Sequence, residues 1–205
     1  MDKTTFTVLI VVFSFLSGSI PFGYVIGRLK GVDVRKYGSG NIGATNVSRV
    51  LGKKVGLIVL ILDALKGAVP VLIVKFAGLP LKFQLMAALF AVLGHCFSPF
   101  LGFKGGKGVA TGIGAFSVIS PICAGIAVAV FGIVFSITRY VSLSSITAVA
   151  VYVIVFKYMV SSSLDEYIYV ALAGLVIIVK HYKNIVRLIK GEEKKYGTEK
   201  VSKGA

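Results

Sequence analysis

The sequence predicts an all-α fold, a polytopic transmembrane helical bundle of seven spans. Three observations carry that expectation. The chain is 56% hydrophobic and only 15% charged, with a mean hydropathy of +0.90; a soluble domain needs far more charge to cover its surface. Its apolar runs approach or pass the roughly 18 residues that mark a membrane-spanning helix, and they are continuous. A transmembrane β-barrel would instead alternate over segments of about ten residues. The cations, finally, gather at one set of run ends. One domain over 1–205 is expected, with spans at about 4–29, 55–77, 80–101, 107–120, 121–138, 142–160 and 166–186.

Local signals place these boundaries. The opening MDKTTF leads into a long apolar run without a small-residue cleavage pattern, so it reads as a retained span and not a removed signal peptide. Gly18, Pro21 and Gly23 are expected to kink its inner end. One helix from Gly108 to Thr138 would be about 46 Å long at 1.5 Å per residue. A hydrocarbon core is about 30 Å thick, and Ser120-Pro121 is a natural break, so two spans are read there. With the N-terminus outside, the inner pieces are 28–54, 102–107, 139–144 and 180–205, and they hold 18 of the 23 Lys and Arg residues. The outer pieces hold Lys3, Lys75 and Lys82 with Asp2, Asp165 and Glu166. A single span over 108–138 would put the basic tail outside, against the positive-inside rule. The C-terminus is therefore expected in the cytoplasm.

The net charge of +15 follows from that rule and from attraction to anionic lipid, so no nucleic-acid partner is inferred. Cys96 and Cys123 both sit in apolar runs, which excludes a disulfide framework. No internal repeat or low-complexity segment is present.

The polar motifs fall on the inner side. The first is Gly38 to Arg49, GSGNIGATNVSR. Gly38, Gly40 and Gly43 allow positive φ and close approach of backbone N–H groups, as in a loop that cradles an oxyanion. Ser39, Asn41, Thr45 and Asn46 add hydrogen-bonding side chains, and Arg49 adds a guanidinium. The run contains G-x-G-x-x-G, but no strand precedes it, so a dinucleotide fingerprint is rejected. A flexible connector would explain the glycines and leave two Asn, a Thr and an Arg unexplained.

The second motif, GHCFSPFLGFKGGKGVAT at 94–111, centres on Lys104, Gly105, Gly106, Lys107 and Gly108. Two ammonium groups on a glycine turn before a helix N-terminus favour phosphate. It is not a Walker A loop, because Leu101 stands where that motif needs a glycine and Gly108 follows the lysine. Snorkelling to lipid headgroups is the alternative role for the two lysines.

Asp63 and Lys66 are three apart within the second span, and ionisable residues at membrane depth face a polar cavity or each other. Ser142, with Ser144 and Ser145, follows Arg139 at a helix start, where hydroxyls cap or touch substrate. The last motif runs from Lys180 to Leu188 and on to Gly191-Glu192; His181, Asn184 and Arg187 are expected on one helix face. His95 is expected to be a packed, hydrogen-bonded histidine.

Taken together, GSGNIGATN with Arg49, LDALKG at 62–67, the 94–111 segment and HYKNIVRLIKGEE resemble the acyl-phosphate:glycerol-3-phosphate acyltransferase family of bacterial membranes, PlsY. The resemblance implies acyl phosphate and glycerol 3-phosphate as substrates, lysophosphatidic acid and phosphate as products, and the inner membrane as location. No obligatory protein partner is inferred. The expected catalytic residues are Arg49, Lys104, His181 and Asn184. The expected substrate-binding residues are Ser39, Gly40, Asn41, Gly43, Thr45, Asn46, Gly105, Gly106, Lys107 and Ser142.

An acyl phosphate is a mixed anhydride, already activated, so no cofactor and no metal is expected. Catalysis then rests on positioning and on electrostatic stabilisation of the oxyanion and leaving phosphate. The His-x4-Asp dyad of other glycerol phosphate acyltransferases is absent: Phe100 lies five after His95, and Val186 five after His181. Two proton routes stay open, His181 as general base or transfer to a substrate phosphate oxygen. An organic-phosphate transporter is the rival reading, opposed by the missing repeat and by motifs crowded on one side. A non-catalytic scaffold would leave the Asn, Thr and His clusters without a role.

Overall fold

The first span is interrupted where its sequence loses a backbone donor. In the computed structural model, which describes residues 3–161 and 163–198, it divides into α1 (Lys3–Ser19) and α2 (Phe22–Leu29) around Pro21. Asp2 and the tail cations Lys200 and Lys203, assigned to sides of the membrane above, lie outside the described residues. A short 3-10 turn, Val34–Lys36, precedes α3 (Ala44–Leu51) and α4 (Lys53–Phe76). Then come α5 (Leu81–Cys96), a 3-10 turn at Pro99–Leu101, α6 (Val109–Ile119) and α7 (Pro121–Thr138). The chain continues through α8 (Val141–Met159), α9 (Leu164–Lys180) and α10 (Tyr182–Ile189). Among the described residues every regular element is helical.

Carbonyls freed at the breaks cannot be left bare in an apolar surround. The Ser98 hydroxyl donates to the Ser19 carbonyl at 2.7 Å, and the Lys66 ammonium donates to the Ile20 carbonyl at 2.6 Å. Pro70 has no N–H to give to the carbonyl four residues back, which is Lys66. The Ser17 hydroxyl donates to that carbonyl instead, at 2.8 Å. Asp63 lies 2.7 Å from the Lys66 ammonium, and both side chains are buried. The pair thus braces the break between α1 and α2.

Glycines set how closely the helices pack. A Cβ at Gly18 would strike the Ala91 backbone, and one at Gly94 the Phe15 carbonyl, so α1 and α5 meet backbone to backbone. Gly67 against Thr111 and Gly114 against Ala64 do the same for α4 and α6. With no hydrophobic drive between helices in lipid, such small-residue contacts supply the packing energy. The largest core cluster includes Leu85, Phe116, Tyr152, Phe156 and Val170; a smaller one, with Val34, Ile42, Val47 and Val59, underlies the first loop. α7 exposes Ile122, Val128, Ile133 and Ile137, a surface that suits lipid and not water.

Five helices are long and apolar enough to cross a membrane among the described residues, and the bent pair α9–α10 makes a sixth if counted as one span. The break at Ser120-Pro121 separates α6 from α7. α6 has 11 residues, about 16 Å at 1.5 Å per residue, shorter than a typical hydrocarbon core. The run expected as one helix over 166–186 is bent by 56°. His181 causes the bend: its Nδ1 lies 2.8 Å from the Ile177 carbonyl, while its own N–H bonds to the Ile178 carbonyl at 2.9 Å. The imidazole occupies the acceptor four residues back, and the backbone ladder gives way. Lys180 therefore ends α9, His181 stands at the bend, and Asn184 and Arg187 lie on α10.

Replacing Lys66 by Met is expected to cost about 3–5 kcal/mol, because the buried Asp63 loses its partner. Asp63→Leu combined with Lys66→Met should recover part of that loss. Thermal unfolding of purified protein in detergent measures both.

Candidate functional site

Asn46 builds the first loop. Nearly fully buried on α3, its amide nitrogen reaches the carbonyls of Val34, Asn41 and Tyr37 at 2.9, 2.8 and 3.2 Å. Its Oδ1 accepts from the Ser39 N–H at 2.8 Å. Gly38 and Gly40 turn the chain at φ +60 and +70, and a Cβ at Gly38 would strike Asn46 Oδ1. Asn41 Oδ1 accepts from the Gly43 N–H at 2.7 Å just ahead of α3. Both asparagine side chains are thus committed to loop shape, and Ser39, Thr45 and Arg49 lie beside them. All five, with Gly43, line one cavity of about 370 Å³. Gly40 does not line it.

The second motif arrives from another direction. Gly106 donates its N–H to the His95 carbonyl at 3.0 Å, and a Cβ there would strike the His95 ring. Gly105 is packed as closely on the His95 carbonyl, so the glycines let this turn pass over the end of α5. They place Lys107 on the cavity wall, with its ammonium 2.7 Å from Asn184 Oδ1. Lys104 is exposed and lines no part of the cavity; neither do Gly105 and Gly106. His95 is packed and hydrogen-bonded, its Nδ1 3.0 Å from the Thr111 hydroxyl and 3.9 Å from Asp63.

The third group converges on a residue that motif reading passed over. Glu193 accepts from the Ser142 hydroxyl and from Asn184 Nδ2, both at 2.6 Å, and from Arg187 Nε at 2.7 Å. Gly191, at φ +70, reverses the chain after α10 and returns Glu193 to that helix. A glycine followed by acids after a basic helix was the available signal, but the reversal it encodes depends on Ser142 from a distant helix. Ser142 does not cap α8; its hydroxyl is used on Glu193. The carboxylate absent from the three basic motifs is therefore supplied by the segment behind the last, where it orders Asn184 and Arg187 and not the imidazole.

Burial pushes the Glu193 carboxyl upward, but its bonds from Ser142, Asn184 and Arg187 outweigh that and leave it below the ordinary 4.5. Burial draws Lys107 down to about 8; Glu193 opposes this, and Arg187 and Arg49 add to it. A bound phosphate would drive that ammonium back towards full charge. Because a carbonyl can only accept, His181 Nδ1 carries the hydrogen that faces Ile177. Its Nε2 is left with a lone pair, and His181 lines the cavity. Among the described residues no cluster of three or more His, Cys, Asp or Glu could hold a metal.

A second cavity of about 270 Å³ has almost wholly apolar walls, from Ile113 and Phe116 on α6 to Tyr152 on α8 and Val170 on α9. It shares Leu60, Val109, Ala110 and Phe131 with the first. A cationic chamber and an apolar groove thus meet.

Residues 8–191 match the family model of glycerol-3-phosphate acyltransferase. The chain belongs to that family. It is 46% identical over 201 residues to a glycerol-3-phosphate acyltransferase of Anaeromyxobacter sp. (strain Fw109-5), covering 95% of this chain and 98% of the relative. It is 45% identical over 188 residues to that of Aquifex aeolicus (strain VF5), covering 91% and 97%. Two crystal structures of PlsY, an integral membrane glycerol 3-phosphate acyltransferase, match it at 44% identity over 94% of this chain and 96% of theirs. The TM-score is 0.88 for the glycerol 3-phosphate form and 0.86 for the lysophosphatidic acid form. The chain is thus a multi-pass membrane acyltransferase, and the transport reading is set aside.

In this acyltransferase Glu193 holds the third wall together. Its lowered carboxyl contributes stability that is present above the ordinary carboxyl range and is lost as pH falls through the lowered folded value. Glu193→Gln is expected to cut activity by about 10- to 100-fold, the worth of a hydrogen bond to a charged group. It should also flatten the acid limb of the stability–pH curve, read by thermal unfolding between neutral pH and the acid limit.

Proposed function

We propose that the chain transfers a fatty acyl group from acyl phosphate to the 1-hydroxyl of glycerol 3-phosphate, releasing lysophosphatidic acid and inorganic phosphate. The junction of the cationic chamber with the apolar groove is the observation that carries this reading. Two phosphate-bearing substrates need several cations, and Arg49, Lys107 and Arg187 all line the chamber. An acyl chain needs an apolar groove open towards lipid, and Leu60 and Val128, both on its wall, are substantially exposed.

The hydroxyl oxygen attacks the acyl carbonyl carbon, the bond to phosphate oxygen breaks, and phosphate leaves with the electron pair. Arg49 suits phosphate through its planar fork, and Lys107 through a compact charge next to Asn184. His181, fixed by Ile177, offers Nε2 as acceptor to the attacking hydroxyl; the proton ends on the departing phosphate. Ser39 and Thr45 add donors along the rim. Acyl phosphate carries its own activation, so the reaction is assigned no cofactor and no protein partner.

Seven crossings, with α6 as a short one, put the N-terminus outside and the C-terminus in the cytoplasm of a bacterial inner membrane, with the chamber facing the cytoplasm. The distribution of Lys and Arg supports this arrangement.

Purified protein given acyl phosphate and labelled glycerol 3-phosphate should form labelled lysophosphatidic acid; no product would end the proposal. Arg49→Ala and Lys107→Ala should each lower kcat/KM by about 10²-fold or more. Lys104→Ala should lose much less, and Lys75→Ala should stay near wild type. Equal, small losses at all four would make the cations membrane anchors. Cysteines placed near Lys36 and Lys194 in intact cells should react only with membrane-permeant reagents, and one near Asp165 should react with impermeant ones. Outside labelling at position 194 would overturn the inward-facing arrangement.

A further inference from the structure

Two of the chamber's walls are packed on different neighbours. α3, which carries Thr45 and Arg49, packs on α2, on α4 and on the Val34–Lys36 turn. α10, which carries Asn184 and Arg187, packs on α8 and α9. The two phosphate-facing walls must nevertheless keep a fixed spacing, because a substrate held between them binds best when both are already in place.

The segment after α10 crosses between them. Beyond Glu193 it reaches Tyr196, which is held in three ways. Its N–H donates to the Arg139 carbonyl at 2.9 Å, at the turn from α7 to α8. Its ring meets Phe135 edge-on with centroids 5.9 Å apart. Its hydroxyl lies 2.9 Å from the hydroxyl of Ser48, the residue before Arg49. Lys195 adds a cation over the Tyr140 ring at 5.7 Å. On its far side Ser48 is pressed against α4, where a Cβ at Gly56 would strike it. α3 is therefore clamped between Gly56 and the Tyr196 hydroxyl.

We propose that Tyr196 is a positioning residue: its hydroxyl bond to Ser48 fixes the helix that carries Arg49 against the wall that carries Glu193, Asn184 and Lys107. It touches no reacting atom. This rests on the reading of the chamber as the glycerol 3-phosphate site, since the clamp acts through Arg49.

Two clean deletions test it. Tyr196→Phe keeps the ring on Phe135 and the backbone bond to Arg139. Ser48→Ala keeps the Cβ packed on Gly56, so it probes the same bond even where Tyr196→Phe proves unstable. With saturating hexadecanoyl phosphate, each should raise KM for glycerol 3-phosphate by about three- to tenfold, the worth of one hydrogen bond. kcat should stay within about twofold of wild type, and the double variant should be no worse than either single, as coupled partners require. Hydrogen exchange without substrate should show faster exchange in α3, 44–51, and unchanged exchange in α5. Unchanged KM in both singles, additive effects in the double, or unaltered exchange in α3 would overturn the clamp. A wild-type chain that does not turn over glycerol 3-phosphate would overturn the reading of the chamber, while the exchange comparison still decides the clamp.

Discussion

The Lys66 ammonium, shared between the Asp63 carboxylate and the Ile20 carbonyl at 2.7 and 2.6 Å, is the contact on which the rest of the site depends. A chain can leave helical geometry at membrane depth only where its freed carbonyls find donors. Lys66 supplies one at the Pro21 break and Ser98 supplies another. That break lets α2 run on as a separate helix into the Asp33–Tyr37 turn and the Asn46-centred loop. Asp63 keeps the buried ammonium compensated and lines the chamber beside His95.

The same device recurs on the other wall. His181 takes the Ile177 carbonyl with its own imidazole and turns the chain by 56° into α10. The bond that bends the helix also sets the tautomer, so architecture and chemistry share one cause. Lys180, just before the bend, donates to the Cys96 carbonyl at 2.8 Å and tethers α9 to the end of α5. Polar residues that a motif reading would send to substrate thus divide into two groups. Asn41, Asn46, Gly105 and Gly106 hold the loops in shape; Arg49, Lys107, His181 and Arg187 face the chamber.

Much of this was legible in the sequence, for a physical reason. Uninterrupted apolar runs and one-sided cations follow directly from the cost of placing polar groups in hydrocarbon. α4, α7 and α8 accordingly lie within about two residues of their expected limits. Local backbone rules located the breaks at Pro21 and Ser120-Pro121. Loops of Gly, Asn and Lys singled out the segments that line the chamber, because few environments other than an anion site need that mixture.

Which lysine faces the chamber was not legible, because Lys104 and Lys107 differ only in how a glycine turn wraps over His95. Nor was the role of Glu193, whose partners come from Ser142, 51 residues away, as well as from its own neighbours. The bend at His181 turns on whether an imidazole or a backbone N–H reaches one carbonyl, a competition that packing settles. The sequence by itself determined a membrane bundle with basic, glycine-rich loops on one side, since period, hydropathy and charge are properties of the local chain. Only the tertiary structure decided which of those polar groups hold one another and which line the chamber, since hydrogen-bond partners are chosen by distance in space.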